Sequence, residues 1–200
     1  MATVETRGRG RPSEGARDAL LDAARELFIE RDFENVPTEE ILERAGVSRG
    51  AMYHHFSGKR DLYREVWRES ERRLIVRLGA AAGSASTPYE ALSAGCLAYL
   101  DEAGDNPELR RIGLLQSRTV MGWEGWREGI SDLGLATMRA GIEAAMESGE
   151  LKRSDPEATA HILMAALIEA ALLIATADDA AAARADAEPP IRALLSGLRR

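Results

Sequence analysis

The chain has 200 residues, enough for one large domain or two small ones with an ample core. Its 45% hydrophobic and 30% charged content is that of an ordinary globular chain, and the lone Cys96 excludes an intrachain disulfide or a paired-cysteine metal site. Aromatics make up only 5% while alanine and leucine dominate, which favours helices over sheet, and the net charge is −7.

The first twelve residues hold Arg7-Gly8-Arg9-Gly10-Arg11-Pro12 and no apolar run. Such a tail is ordinarily solvated and disordered. Here Arg-Gly-Arg-Pro resembles the core of an AT-hook, and the tail abuts the motif described next. Residues 1–12 are therefore expected to form a basic flexible arm whose Arg7, Arg9 and Arg11 enter an A·T-rich minor groove.

Ser13 is expected to cap a first helix, on which Leu20, Leu21, Ala24, Leu27 and Phe28 recur at helical spacing. Residues 32–37 form a connection with Phe33 and Val36 folded inward. A short helical pattern then runs to Ala45 and is followed by Gly46 to Gly58, G-V-S-R-G-A-M-Y-H-H-F-S-G. Gly46 can take the positive φ that ends one helix, and Ser48 can N-cap the next. Val47 would plug the angle between them beside Ile41, Met52 and Phe56. That is a helix-turn-helix, whose second helix lies in the DNA major groove.

On that second helix Arg49 offers a guanine-reading side chain, Gly50 has none to hold DNA away, and Ala51 presents a methyl to thymine. Tyr53 and His54 can donate to phosphate oxygens. Lys59 and Arg60 then open a further helix, where two cations oppose the macrodipole. A bound phosphate would reverse that penalty.

Thr38 through Leu62, T-E-E-I-L-E-R-A-G-V-S-R-G-A-M-Y-H-H-F-S-G-K-R-D-L, resembles the DNA-binding signature of the TetR family of bacterial transcriptional regulators. The resemblance implies an all-α homodimer with an N-terminal three-helix helix-turn-helix domain. A long helix would join it to a C-terminal helical bundle, about nine helices in all. It implies phosphate contacts for Thr38, Ser48, Tyr53, His54 and Lys59, and places Arg49, Gly50 and Ala51 nearest the bases. Leu42 departs from the family's usual alanine, which predicts slightly wider spacing between helices two and three.

The expected domains are the arm at 1–12, the helix-turn-helix at 13–58, a connecting helix at 59–80, and an effector-binding and dimerisation domain at 81–200. The charge distribution fits this division. Residues 1–80 carry 15 basic and 15 acidic side chains, whereas 81–200 carry 11 and 18, so all the excess acid lies C-terminal. Residues 44–60 hold Arg44, Arg49, Lys59 and Arg60 and no acid. Exposed charges beyond a Debye length, roughly 8–10 Å, are largely screened, so a locally basic face can bind phosphate despite the negative total.

Helix four presents Leu62, Tyr63, Val66, Trp67, Ser70, Leu74 and Leu78 as one stripe. The pattern fits a lever between domains and an ordinary amphipathic helix equally. Gly79 to Thr87 is the expected boundary, and Thr87-Pro88-Tyr89-Glu90 opens helix five as a capping box. Asn106-Pro107-Glu108 and Asp155-Pro156-Glu157 repeat the device for helices six and eight. Helix seven is expected from near Gly122-Trp123 to the Gly149 region. Residues 178–190 look loosely specified, before a short last helix from Ile191 to Leu198.

Helix eight, Pro156 to about Ala177, is apolar on nearly every face. It is expected to pair with the last helix across a two-fold axis, since a helix-turn-helix reads half-sites about 34 Å apart. The alternative is complete burial in one subunit. Its longest apolar run, Ile162 to Ala175, is broken by Glu169 and shorter than a bilayer requires. No membrane partner is expected, and the location expected is the cytoplasm, on the nucleoid when DNA-bound.

An effector pocket is expected among helices five to eight, lined by Tyr99, Leu115, Gln116, Met121, Trp123, Trp126, His161 and Glu169, with Leu114 nearby. The Trp123–Trp126 pair fits plain core as well as a ligand platform. Glu169, a carboxylate in an apolar helix, needs a partner: an internal arginine, the second subunit, or an effector group.

Gly46-Val47-Ser48-Arg49-Gly50 also fits a nucleophile elbow, but the elbow needs a preceding strand and residues 41–45 read as helix. His54 and His55 point about 100° apart on a helix and cannot share a metal. No catalytic constellation, metal site or cofactor is expected. The function implied is a ligand-responsive DNA-binding regulator, most simply a repressor released from a palindromic operator by a small molecule. The alternatives are a helical serine hydrolase on Ser48, or a helical interaction module without DNA binding.

Overall fold

The computed structural model describes residues 12–200; the arm with Arg7, Arg9 and Arg11 lies outside the described residues. Every regular element described is helical, apart from one isolated antiparallel bridge between Leu151 and Arg199. The chain divides into two units, one ending at Val66 and one running from Trp67 to Arg200.

In the N-terminal unit, α1 (Pro12–Glu30) begins at a proline rather than after a Ser13 cap. Proline suits this position, because a first-turn residue has no N–H to satisfy within the helix. A single 3-10 turn, Phe33–Asn35, leads to α2 (Thr38–Ala45), α3 (Arg49–His55) and the start of α4 (Lys59–Ala82). Leu20, Ala24, Leu27 and Phe28 of α1 are fully buried, as are Val36, Ile41, Met52, Leu62 and Tyr63. Phe28, Phe33 and Tyr63 form an aromatic triad with centroids 5.1–5.6 Å apart, two of its pairs edge-on.

The second unit takes the rest of α4, then α5 (Pro88–Asp105), α6 (Ser117–Ile130), α7 (Ala136–Glu147), α8 (Pro156–Thr176) and α9 (Ala180–Gly197). The capping side chains expected from the sequence are present. Thr87 accepts from Glu90 N at 3.3 Å, Asn106 from Glu108 N at 3.0 Å, and Asp155 from Ala158 N at 2.7 Å. The core runs along Leu92, Cys96 and Leu100 of α5, Ile142 of α7, Leu163, Leu167 and Ile174 of α8, and Ile191 and Leu195 of α9.

Three expectations are corrected. The units part between Val66 and Trp67, inside α4, and not at Gly79–Thr87. The stripe on α4 marks which face is buried, but one continuous stripe carries no sign of a change of partner. Between α5 and α7 the chain is less regular than two helices broken at Gly122. Leu109–Gln116 and Ser131–Leu135 are π-helical, and Gly122 (φ 73°, ψ 170°) interrupts α6. Finally, α9 starts at Ala180 and passes through Pro189 and Pro190. Ala187, Ile191 and Leu195 bury one stripe, and Arg184 pairs with Asp101 at 2.7 Å and with Glu188 at 2.6 Å. Those contacts offset the two missing N–H donors, which the sequence alone marks as a break.

With 21 residues, α8 is long and apolar enough to cross a bilayer on length and composition, so the shorter run assumed from the sequence understated it. Its Ala160, Leu163, Leu167, Ala171 and Ile174 are buried against the helices of its own unit.

Candidate nucleic-acid interface and effector cavity

The turn before α3 is built as its sequence dictates. Gly46 sits at φ 64°, ψ 31°, and its N–H closes α2 on Glu43 O and Leu42 O. Ser48 Oγ accepts from Ala51 N at 3.2 Å, the N-cap bond. Met52 and Phe56 point into the core, at 0% and 3% exposure, with Val47 half-buried beside them. The opposite face carries Arg49, Gly50, Tyr53 and His54, all exposed, while Ala51 is half-buried. A Cβ added at Gly50 would meet nothing within 4 Å, so packing inside the protein does not require glycine there. Thr38 opens α2 half-buried, and Ser48 is exposed.

The basic patch is less free than its charge count implies. Arg49 pairs with Glu39, and Arg44 with Glu30 at 3.3 Å. Lys59, expected on a phosphate, is turned inward instead. Its Nζ donates to Phe33 O at 2.7 Å and Val36 O at 2.8 Å, and lies 4.1 Å from the Phe33 ring centroid. Burial lowers its pKa, partly opposed by Glu34. Its place at a helix N-terminus is thus explained by two loop carbonyls, and needs no phosphate. Asp61 also serves that terminus, accepting from Ser57 N at 2.9 Å.

Ser48 Oγ is occupied as a helix cap, and the element before it is α2, so the hydrolase elbow lacks its strand.

The second unit holds a cavity of about 360 Å³, within the size range of small-molecule sites. Its wall is mostly apolar, with Leu74, Leu78, Leu92, Met138, Met164 and Ile168 among the lining residues. Both π-helical stretches contribute, through Leu109, Gly113 and Leu114 and through Gly134. Such distortions are frequent at functional sites.

Of the expected lining residues, Tyr99 and Trp126 are there, with Leu114. The others are not. Leu115 and Trp123 are exposed at 36% and 58%, Gln116 is buried away from the cavity, and Met121 lies outside the wall. His161 is half-exposed and 3.3 Å from Glu157. Glu169 is exposed, which removes the internal-arginine and pocket alternatives within the subunit. Leu115, Gln116, Met121 and Trp123 lie in or beside the irregular stretch of π-helix and the Gly122 break, where regular helical spacing does not say which face turns inward, whereas His161 and Glu169 lie on the regular α8.

Several polar residues of the wall were missed, Glu71 among them. Glu71 sits on α4 one turn after Trp67, and burial pushes its carboxyl up to about 7. Among the described residues no hydrogen bond or ion pair reaches that carboxylate. Burial, and secondarily Glu71, raise the Tyr99 hydroxyl, and burial pushes the Cys96 thiol up to about 12. Arg118 is exposed at the wall's edge, its guanidinium 4.4 Å from the Trp126 ring centroid. The signal for Glu71 was legible: Trp67, Glu71, Leu74 and Leu78 share one face at helical spacing.

A capped two-helix turn with an outward polar face, followed by a helical unit with an apolar cavity, defines a helix-turn-helix protein with a second, cavity-bearing unit. Comparison with known proteins agrees. Residues 20–66 match the family described as bacterial regulatory proteins, tetR family, and residues 89–198 match the tetracyclin repressor-like C-terminal domain. The chain belongs to the TetR family.

A solved TetR-family transcriptional regulator from Pectobacterium atrosepticum is 31% identical with a TM-score of 0.80, covering 96% of this chain and 98% of that one. The transcriptional activator FasR of Mycolicibacterium smegmatis is 33% identical over 110 residues, half of each chain. The repressor KstR2 of the same organism is 28% identical over 141 residues, 60% of this chain and 69% of its own. The chain thus spans about half the length of the first of these curated relatives. FadR of Bacillus subtilis, solved with stearoyl-CoA, shares the fold at TM-score 0.72 and 21% identity, covering 91% of this chain and 99% of that one.

Proposed function

We propose that the chain is a ligand-responsive DNA-binding transcriptional regulator, acting as a repressor that a small-molecule effector releases from a palindromic operator. The observation that carries this reading is the division of α3 into a buried face, Met52 with the following Phe56, and an exposed face of Arg49, Gly50, Tyr53 and His54. In it, Arg49, Gly50 and Ala51 lie nearest the bases. Thr38, Ser48, Tyr53 and His54 hold phosphates and fix the register, and Arg7, Arg9 and Arg11 follow the adjoining minor groove.

The dimer forms through α8 and α9. Support comes from Ile162, Leu173 and Leu194, exposed at 70%, 60% and 48%, a set of large apolar side chains without cover in one subunit. Glu169 shares the exposed side of α8 and belongs to the same interface. Two subunits then present α3 helices to successive major grooves about 34 Å apart. The effector acts through α4, which supplies Trp67, Glu71 and Leu74 to the cavity wall and Leu62, Tyr63 and Val66 to the N-terminal core. A coupling of about 1–3 kcal/mol is enough to change operator occupancy several-fold. The protein works in the cytoplasm, on the nucleoid when bound to DNA, and needs no membrane.

A gel shift on the DNA upstream of the chain's own coding region tests this reading. Wild type should retard that fragment over a random duplex, and Arg49→Ala should relax the preference at one base position by about 1–3 kcal/mol. Equal retardation of both fragments by wild type would defeat it.

A further inference from the structure

Among the described residues, Glu71 is the one carboxylate in the cavity wall. It is set against the π-helical stretch, its Oε1 3.7 Å from where a Cβ on Gly113 would stand. The wall around it is otherwise apolar or aromatic, with the rings of Trp67, Tyr99 and Trp126 lining the same space. The wall's other charged group, Arg118, does not neutralise it. That guanidinium is exposed, so water solvates it, and it already lies over the rings of Trp126 and Trp123 at 4.4 and 6.0 Å.

The geometry points to a hydrophobic ammonium as the chemistry this cavity takes: an amine on an apolar body, its cation on Glu71 and its hydrocarbon along the leucine and methionine wall. The assignment rests on the reading of the cavity as the effector site, and deepens it. A half-buried carboxylate in an apolar wall, without a partner among the described residues, is costly, and a bound ammonium supplies both the opposite charge and hydrogen-bond donors. The surrounding rings add cation–π attraction, strongest where water is excluded. Among the described residues, the titratable or charged groups that share the wall with Glu71 are Cys96 and Tyr99 from α5 and Arg118 from α6. The lining residues of α7 and α8 carry no charge. Burial pushes the Glu71 carboxyl up to about 7, so below that pH an ammonium ligand must displace a proton.

The test uses the full chain and three probes of one length, octylamine, 1-octanol and octanoate, followed by calorimetry and tryptophan fluorescence at pH 6 and pH 8. Octylamine should bind tightest at pH 8 and lose about tenfold in affinity at pH 6, as the ionised fraction of Glu71 falls. Glu71→Gln should remove the amine preference and its pH dependence while leaving 1-octanol binding as it was. Octanoate binding best, or an octylamine affinity that does not fall between pH 8 and pH 6, overturns the assignment in the wild-type protein without recourse to a variant. Should 1-octanol or octanoate bind and weaken the hold on DNA while octylamine does neither, the effector site stands and the ammonium assignment falls. If no probe binds, both fall.

Discussion

Replacing Lys59 with methionine keeps the stem and deletes the ammonium, which separates a structural role from a DNA contact. The ammonium makes two hydrogen bonds, to Phe33 O at 2.7 Å and Val36 O at 2.8 Å, and a ring contact at 4.1 Å. A hydrogen bond from a charged donor contributes about 1.5–3 kcal/mol, and a cation–π contact of this kind about 0.5–1 kcal/mol. The three share one group whose desolvation takes back part of the gain, and the freed carbonyls regain some water. A net loss of about 2–4 kcal/mol from the N-terminal unit is therefore expected. Hydrogen exchange over residues 33–63 should show the loss as faster exchange. The salt dependence of binding to a mixed-sequence duplex should keep its slope, apart from the overall loss of folded protein. Unchanged exchange together with a slope lower by about 0.9 would refute the reasoning, because it would place the ammonium on a phosphate.

Four further expectations follow from single contacts. Gly129 faces the indole of Trp67, and a Cβ there would stand 1.9 Å from Cζ3. Gly129→Ala should therefore cost about 1–3 kcal/mol or more by urea denaturation, and strict additivity with Trp67→Leu would count against that contact. The folded protein keeps a proton on Glu71 to about pH 7 and the unfolded chain only to about pH 4.5, so folding takes up a proton between the two. Stability from this group is full below about pH 4.5 and is lost as pH rises through 7. Glu71→Gln should then match wild type near pH 4.5 and exceed it at pH 8 by up to about 3 kcal/mol, and equal thermal stabilities at pH 8 would exclude an enclosed carboxyl. Glu39→Gln releases Arg49 from its exposed pair; duplex affinity should rise by up to about fivefold, the value of a surface ion pair, and a fall would show that the pair organises the arginine for DNA. Leu173→Glu places a charge at a 60% exposed site on α8 and should shift the protein to monomer in sedimentation with its helical circular dichroism kept; an unaffected dimer moves the interface elsewhere.

The sequence by itself determined the local devices, because each depends on residues a few positions apart. Gly46 and Ser48 fix the turn, and Thr87, Asn106 and Asp155 start their helices with their own oxygens. The Met52/Phe56 spacing decides which face of α3 is free. Tertiary structure decided where Lys59 spends its ammonium, since its acceptors lie 23 and 26 residues away. It also carried α9 through two prolines, by burying Ala187, Ile191 and Leu195. The cavity was the least legible feature, because a void is defined by where several helices fail to meet. The π-helical stretches at 109–116 and 131–135 rotate side chains off the regular 3.6-residue period. Trp123 is exposed while Trp126 lies in the wall, and only once the walls are placed does Glu71 prove to be an acid facing an apolar cavity.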